Sequence, residues 1–521
     1  MNRSALIFLS TLTLLGTTAT AGMAQLVGTT AVEEFEEEGD AIFLAPDTEA
    51  PNEAPCEAQP SFIEPIGPQD SLLEEAEDTL NDSTAEESPE SESTTTSYLE
   101  QFNTGLEAYR NGNDELAIAA FDAAITINSD YAPAYLFRGA SFARLDNPAA
   151  ALDNYNQAIV INPDYSAAYL NRGVLYYDQN DTNLAIEDFD RTIATDPNEA
   201  TAYIYRGIIA SEQGNQPIAL EYLNDAIRLA PDNASAYFHR GLVFKAQNNP
   251  ESAIDDFTQA ISLENDYMEA FLNRGVAYYR VEAMAEALDD FNRVIDLDVT
   301  NAEAYYNRSF VLLAQNRPQA ALTDLNQVIS LEPDNARAYL RRGQIHSASG
   351  NEIAAISDLS KVIALSPDTA EAYYRRGIAH LELEDQRTAI ADFTAALALD
   401  PDHAPSYKSR GDAFADLGDA FSALGDYTTA LDLDSTYWSA YASRGRMFYE
   451  IADYQSAYTD LSAVITANIL DADVFYYRGI TNAQLGDVSR AKTDLETAGS
   501  LYLANNEATR YRLVLNALNK L

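Results

Sequence analysis

The chain has 521 residues, too many for one ordinary hydrophobic core, so it must fold as several compact domains or as one elongated repeat array. Its 32 Lys and Arg residues face 82 Asp and Glu residues, and the formal net charge of −50 argues against nucleic acid and anionic lipid surfaces as partners. The single cysteine, Cys56, excludes an intramolecular disulfide. We interpret it as a free, exposed thiol, with pairing between chains or metal binding as alternatives.

The N-terminus has the features of an export signal. Arg3 is the only charged residue before an apolar run of eleven residues, 5–15, which is too short to span a bilayer. Small residues follow, so we expect cleavage after Ala21 or Ala24. Residues 1–24 are therefore predicted to be a signal peptide, and the mature protein to be periplasmic or extracellular without stable membrane insertion. An uncleaved membrane anchor is the alternative.

Residues 25–97 carry charge of one sign. They include 21 Asp and Glu residues and no Lys or Arg, so the segment repels itself. Seven prolines also interrupt helical continuity. We predict a disordered, extended linker. Two short apolar clusters, 41–44 and 62–66, could instead be docking motifs that become ordered on a partner.

The dipeptide Arg-Gly recurs with a constant spacing of 34 residues, and one copy is substituted to Arg308-Ser309. A fixed period of this size indicates stacked supersecondary units rather than independent domains. Twelve periods of 34 residues extend from residue 98 to residue 505. The arginines of the unsubstituted copies are Arg138, Arg172, Arg206, Arg240, Arg274, Arg342, Arg376, Arg410, Arg444 and Arg478.

Within one period the pattern predicts a helix, a turn and a second helix. In residues 370–403, one apolar stripe at helical spacing precedes the polar stretch 384–387 and a second stripe follows it. Pro401 then ends the second helix. Gly377 has a packing reason, because a side chain there would hold the two antiparallel helices apart.

The repeat resembles the tetratricopeptide repeat family. The family motif places an aromatic residue, a Gly or Ala four residues on, another aromatic three later, and an Ala, aromatic, Ala series in the second helix. The resemblance covers residues 98–505 and implies an all-α fold, a right-handed α-solenoid of about twelve 34-residue helix-turn-helix units. One copy fills the motif in order with Tyr169, Gly173, Tyr176, Ala185, Phe189 and Pro197.

Residues 506–521 follow the last repeat. Tyr511, Leu515 and Leu518 have helical spacing there, with charged residues between them. A terminal repeat needs a partner for its outer apolar face, so we predict a C-terminal capping helix.

The sequence offers little chemistry. Nucleophile elbows, phosphate loops, Cys-x-x-Cys pairs and metalloprotease motifs are absent, so we predict no catalytic residue, no cofactor and no metal ligand, and no enzymatic activity. His346 and His380 occupy the second aromatic position of consecutive repeats. We interpret them as aromatic-sized core residues, and a metal or acid–base pair is the alternative.

The resemblance also implies a ligand face on the first helices, one and five positions after the leading aromatic residue. Those positions are mostly apolar here, and in the repeats from Ala132 to His403 they lack the Lys and Asn that family members use to clamp a C-terminal carboxylate. The alternative is that these rows pack between adjacent first helices. The predicted peptide-groove residues are Leu136, Leu170, Val174, Ile204, Ile208, Phe238, Leu242, Leu272, Val276, Tyr306, Phe310, Leu340, Tyr374 and Ile378.

The repeat arginine stands where the family usually has leucine, and nine copies carry an Asp sixteen residues later. We predict a partly buried ladder in which each Asp pairs with the Arg of its own repeat, with that of the next repeat, or with both. The alternative is a set of exposed pairs worth under about 1 kcal/mol each. The pairs are Arg172 with Asp188, Arg240 with Asp256, Arg274 with Asp290, Arg308 with Asp324, Arg342 with Asp358, Arg376 with Asp392, Arg410 with Asp426, Arg444 with Asp460 and Arg478 with Asp494.

These features predict an exported, non-enzymatic scaffold that binds peptide segments or other proteins in its concave groove. An acidic structural or assembly protein that attracts basic partners or divalent cations is the alternative, and a non-catalytic subunit of an enzyme complex is a third reading. Nucleic acid is not expected as a partner. The sequence leaves the identity of the partner and the oligomeric state open.

Overall fold

The structure, a computed structural model, describes the backbone of residues 89–521 and the side chains from Ser97 onward. This part of the chain contains 25 α-helices and no β-strand. The predicted signal peptide, residues 25–88 of the predicted linker and Cys56 lie outside the described residues.

Along the chain, the helices alternate as the first and the second helix of successive hairpins. In chain order they are α1 (Pro89–Arg110), α2 (Asp114–Ile127), α3 (Ala132–Arg144), α4 (Pro148–Ile161), α5 (Ser166–Asp178), α6 (Thr182–Thr195), α7 (Ala200–Glu212), α8 (Gln216–Leu229), α9 (Ala234–Ala246), α10 (Pro250–Leu263), α11 (Met268–Arg280), α12 (Met284–Leu297), α13 (Ala302–Ala314), α14 (Pro318–Leu331), α15 (Ala336–Ala348), α16 (Glu352–Leu365), α17 (Ala370–Glu382), α18 (Gln386–Leu399), α19 (Ala404–Asp416), α20 (Ala420–Leu433), α21 (Trp438–Glu450), α22 (Tyr454–Thr466), α23 (Ala472–Gln484), α24 (Val488–Ala504) and α25 (Ala508–Leu518).

The described helices divide into two units, residues 89–316 and residues 317–521. The first unit contains α1 to α13, in which α1 to α12 pair as six hairpins. The second begins with α14 and continues with the five hairpins of α15 to α24, and α25 follows. The predicted all-α solenoid of helix-turn-helix repeats is confirmed.

Each hairpin turn depends on one residue in the left-handed backbone region. It lies two residues beyond the end of the first helix, and five of the twelve turns place a glycine there, such as Gly214 with a φ of 74°. The next residue donates its backbone N–H back into the helix, as Asn215 does to the carbonyl oxygen of Ala210 at 2.8 Å. These bonds cap carbonyl groups that the helix end would otherwise leave unpaired.

The repeat glycine allows the two helices of a hairpin to approach closely. A Cβ atom built on Gly241 would lie 2.7 Å from Cε1 of Phe257 in the paired helix. A Cβ atom built on Gly377 would likewise lie 2.7 Å from Cε1 of Phe393. The packing reason inferred from the sequence therefore holds in these hairpins, because any side chain would displace a fully buried ring.

The N-terminal boundary of the array differs from the predicted one. Helix α1 begins at Pro89, whereas the linker was predicted to continue to Ser97. Pro89 is the last proline before the repeats, and the following residues contain none. Proline is well accommodated in the first turn of a helix, so α1 can extend upstream of the repeat pattern.

Helix α25 covers the apolar end of the last hairpin. Val514 is fully buried and packs in one cluster with Leu495 and Tyr502 of α24. Arg510 adds an ion pair to Asp473 at 2.7 Å. This contact pattern is the one expected of a helix that caps a repeat array.

Candidate binding face

The repeat arginines reach from the first helix of a hairpin to the second. In α9, Arg240 Nε donates to Asp256 Oδ2 at 2.8 Å, and its Nη2 donates to Oδ1 at 2.7 Å. Such a two-bond arrangement is among the stronger ion-pair geometries in proteins. The same bonds join Arg172 with Asp188, Arg274 with Asp290, Arg342 with Asp358, Arg376 with Asp392, Arg410 with Asp426, Arg444 with Asp460 and Arg478 with Asp494.

In seven of these eight hairpins, the third guanidinium nitrogen bonds to a side chain of the preceding repeat. Arg240 Nη1 donates to Asn224 Oδ1 at 2.7 Å, and Arg342 Nη1 donates to Asn326 Oδ1 at 2.6 Å. In the preceding second helix, the acceptor lies two residues beyond the position that is equivalent to Asp256. One of the predicted arrangements was a carboxylate shared by two arginines. That arrangement is wrong for these repeats, because each arginine instead bridges two second helices.

The ion pairs are largely removed from solvent. The Arg240 side chain is 21% exposed and the Asp256 side chain 7%. The guanidinium also lies 5.6 Å from the ring centre of Tyr237, one turn earlier on the same helix. The hydrogen bonds that Arg240 donates to Asp256 raise the pKa of Arg240, so the arginine stays charged. Removing either partner would leave a charge in a poorly solvated place.

Two repeats depart from this arrangement. Arg138 bonds to Asn154 at 2.7 Å, and Arg206 bonds to Tyr222 at 3.2 Å, because these two hairpins have no Asp at the ladder position. Arg308 donates to Asn292 of the preceding second helix at 2.7 Å. Its predicted partner, Asp324, belongs to the other unit, where it is buried in α14.

Half of the predicted groove residues lie in the core. Phe238 shows the reason, because its ring lies 5.8 Å from Phe257 of the paired helix and 4.9 Å from Tyr267 at the start of the next hairpin. Such residues fill the space between hairpins and cannot contact a ligand, so their assignment to a groove surface is corrected. The buried members are Leu136, Leu170, Ile204, Ile208, Phe238, Val276 and Phe310.

The other half remain partly accessible on the first helices. Leu242 packs against the edge of the Phe238 cluster, and the Tyr374 ring lies 4.8 Å from the His403 ring. Each therefore combines core packing with an accessible part, as an apolar binding row requires. These half-buried members are Val174, Leu242, Leu272 and Tyr306 in the first unit, and Leu340, Tyr374 and Ile378 in the second.

His346 and His380 lie against the second helices of their own hairpins. His380 Nε2 lies 3.9 Å from Asp392, the carboxylate that Arg376 binds, and burial lowers the pKa of His346. His239 of α9 packs its ring 5.2 Å from that of Phe238, and burial lowers its pKa to about 4. These surroundings fit aromatic-sized packing residues.

Sequence reasoning overlooked one basic position. Lys245 is the only lysine between residues 98 and 316, and it lies on α9 next to the half-buried Leu242 row. Its isolation in a strongly acidic chain was the available signal.

Among residues 97–521, no group of three or more His, Cys, Asp or Glu side chains is arranged to hold a metal ion. No described helix is both long and apolar enough to cross a membrane.

Comparison with family models places tetratricopeptide repeats in the array. Residues 170–234 and 206–262 match one tetratricopeptide repeat model, and residues 149–180 match another. Residues 270–412 match the model of the ETO1 C-terminal domain. A comparison with curated proteins gives no match.

Several solved structures are similar to this chain. A tetratricopeptide repeat protein from Parabacteroides merdae is 19% identical, with 47% of this chain and 97% of that chain covered and a TM-score of 0.37. The structure of the APC/C hetero-tetramer Cut9-Hcn1 is 13% identical, with coverages of 83% and 99% and a TM-score of 0.43. YrrB, described as a TPR protein with an unusual peptide-binding site, is 24% identical, with coverages of 36% and 96% and a TM-score of 0.32.

Proposed function

We propose that this array of tetratricopeptide repeats is an exported, non-enzymatic scaffold that binds peptide segments of other proteins along its first helices. The tetratricopeptide fold is typical of proteins that mediate protein–protein interaction and complex assembly. The predicted export signal of residues 1–24 supports a periplasmic or extracellular location. The partners would then be other exported proteins.

The observation that carries this proposal is the half-buried apolar row of the first helices. In the first unit, Leu242 and Leu272 occupy nearby positions on successive first helices, α9 and α11. An extended or helical peptide could place apolar side chains against such a row while its polar groups remain solvated. The row is backed by buried residues such as Phe238, so it is held rigidly.

The direct test is capture of partners from a cell-envelope extract by the immobilised full chain. The double variant Leu242→Ser, Leu272→Ser should lose most of the captured protein, because it removes two apolar contacts from the row. Phe421→Ser is the matched control, since Phe421 is 90% exposed on the second helix α20. Circular dichroism should show equal helix content in all proteins. Unchanged capture by the double variant would reject the first-helix face as the binding surface.

A second function deserves a test because the net charge is −50. A polyacid would attract basic partners or divalent cations through its overall charge. Such binding is screened by salt, whereas apolar contacts in a groove are not. Capture that disappears between about 50 and 300 mM salt would favour the charge mechanism, and capture that persists would favour the apolar row.

A further inference from the structure

Helix α25 presents positive charge to solvent in a chain whose net charge is −50. Residues 508–521 contain Arg510, Arg512 and Lys520 and no Asp or Glu. Arg510 is paired within the array, because its Nη1 lies 2.7 Å from Asp473 Oδ2. Arg512 and Lys520 are exposed, and in the part of the chain that the structure describes no acidic oxygen lies within 4.0 Å of their charged groups. Two cations at this end of the array are therefore available to an acidic partner.

Two leucines accompany these cations. Arg512 lies on the side of α25 away from the buried Val514, and Lys520 follows in the turn after the helix. Leu513 and Leu515 lie on the two flanks between the buried and the outer side, and they are 48% and 41% exposed. We call Arg512, Leu513, Leu515 and Lys520 the cap face. Apolar side chains beside unpaired cations suit a segment that carries both acids and apolar residues.

The chain's own N-terminal segment has the complementary composition. Residues 33–40 include six Asp and Glu residues, and the apolar cluster 41–44 follows directly. No Lys or Arg occurs in residues 25–97, so the segment offers its acids no basic partner of its own. The other apolar cluster, 62–66, contains a single acid. Only the first cluster therefore combines apolar side chains with an adjoining acidic run.

We propose that residues 33–44, which lie outside the described residues, dock on the cap face of the same chain. In this contact the carboxylates of 33–40 meet Arg512 and Lys520, and the side chains of 41–44 pack against the two leucines. Charge attraction acts over about 10 Å at moderate salt and brings the segment to the helix. Burial of the leucines then stabilises the contact. The proposal does not depend on peptide binding by the first helices.

Two features favour this pairing over others. Residues 45–88 connect the cluster to α1, and a chain of that length can span up to about 150 Å. A tethered segment also meets its site at a higher local concentration than a free one does. The repeat arginines are poorer partners for the acids, because the ion pairs described above already use them, as Asp494 binds Arg478 at 2.7 Å.

Photo-cross-linking from a single cysteine tests the contact in the full chain without its predicted signal peptide. The variant Cys56→Ser, Ala45→Cys places the only thiol directly after the cluster 41–44, and a maleimide-linked benzophenone is attached there. In low salt, irradiation should give a cross-linked monomer in which mass spectrometry finds the label on residues 505–521. The yield should fall about threefold when the salt is raised from about 50 to about 500 mM, because salt screens exposed charges.

Variants of the N-terminal segment, made in this cysteine background, identify the cluster responsible. Ile42→Ser, Phe43→Ser should reduce the cross-linking yield about tenfold, because two apolar contacts are lost. Phe62→Ser, Ile63→Ser is the matched control in the other cluster and should leave the yield unchanged. Circular dichroism should show equal helix content in all proteins.

Variants of α25 test the other side of the contact. Arg512→Glu, Lys520→Glu should reduce the yield by a similar factor, because like charges then face each other. Arg387→Glu, Lys492→Glu is the matched control, since it changes the net charge equally at exposed positions of α18 and α24, and it should leave the yield unchanged. The variant of the N-terminal cluster leaves α25 intact, so it separates a lost contact from a disturbed cap.

Three results would overturn the proposal. A cross-linked dimer would place the segment on a second copy. A label on the first helices instead of residues 505–521 would place it on the peptide-binding face. A yield that persists in either the variant of the N-terminal cluster or that of the two cations would show that the cap face is not the site. The capture experiment with Leu242→Ser, Leu272→Ser uses a different surface, so it tests the proposed function separately.

Discussion

Two rows of residues run along the first helices. One consists of the repeat arginines, and the other of the apolar residues two positions before and after each arginine. The rows differ in how far their side chains are exposed. The arginine row is charged, yet its side chains are mostly buried and bonded, as with Arg274, whose side chain is 15% exposed. The apolar row is divided, because Phe238 is buried whereas Leu242, one turn later, keeps an accessible part. Polarity therefore does not predict exposure in a stacked repeat. Register against the neighbouring helices decides it.

The largest expected effect concerns the arginine row. Asp290→Ala should destabilise its hairpin by about 3–5 kcal/mol, because it leaves the guanidinium of Arg274 buried without its carboxylate. Asp289→Ala is the matched control, since this neighbour is exposed, and it should change stability by less than about 0.5 kcal/mol. Amide hydrogen exchange in α11 and α12 measures both. Equal effects of the two variants would show that the ion pair contributes no more than an exposed one.

Replacing both partners sharpens that result. The double variant Arg274→Leu, Asp290→Leu should recover most of the lost stability, because no charge is then left buried alone. If the double variant were as unstable as Asp290→Ala, the link from Arg274 to Thr258 at 3.1 Å in the preceding repeat would be the more important contact.

The apolar row should show a graded response along one helix. Phe238→Ala should cost about 3–5 kcal/mol, because it removes a ring that is packed on two hairpins. Leu242→Ala should cost about 1–2 kcal/mol, because part of its side chain is accessible to solvent in the folded protein. Thermal denaturation of the two variants gives the comparison. A loss at Leu242 as large as that at Phe238 would assign this residue to the core rather than to a binding row.

His239 lies between the two rows and gives the smallest effect. Its pKa of about 4 in the folded protein lies below the value of about 6.5 expected for the unfolded chain. A neutral His239 therefore contributes its full stability above pH 6.5, and this contribution is lost as the pH falls from about 6.5 towards 4. At pH 5.5 the loss should be about 1 kcal/mol.

His239→Phe is the reference for that measurement, because it cannot titrate. The difference in melting temperature between the wild-type protein and this variant should change between pH 7.5 and pH 5.5, with the wild type losing more. A difference that is independent of pH would mean that His239 is solvated enough to become protonated in the folded protein.

The turns show which parts of the fold could be predicted from the sequence and which could not. The proline after the second helix and the repeat glycine both follow from the chain's own geometry, and Gly241 is placed as expected. The left-handed turn residue was not singled out, because Asn, Asp, Glu and Ala occupy that position in seven hairpins. Glu282, with a φ of 61°, carries no local signal for this conformation. Packing of the two helices imposes it.

The sequence by itself determined the period, the helix-turn-helix unit and the recurrence of Asp sixteen residues after the repeat arginine, because each depends on residues separated by a fixed distance along the chain. Only the tertiary structure decided which apolar residues face outward, that Arg240 also bonds to Asn224, and that Lys245 donates a hydrogen bond to Asn273 of the next first helix. Those features depend on how one hairpin packs on the next. Contacts between repeats are set by helix packing angles and side-chain volumes, and neither is encoded in the spacing of residues along the chain.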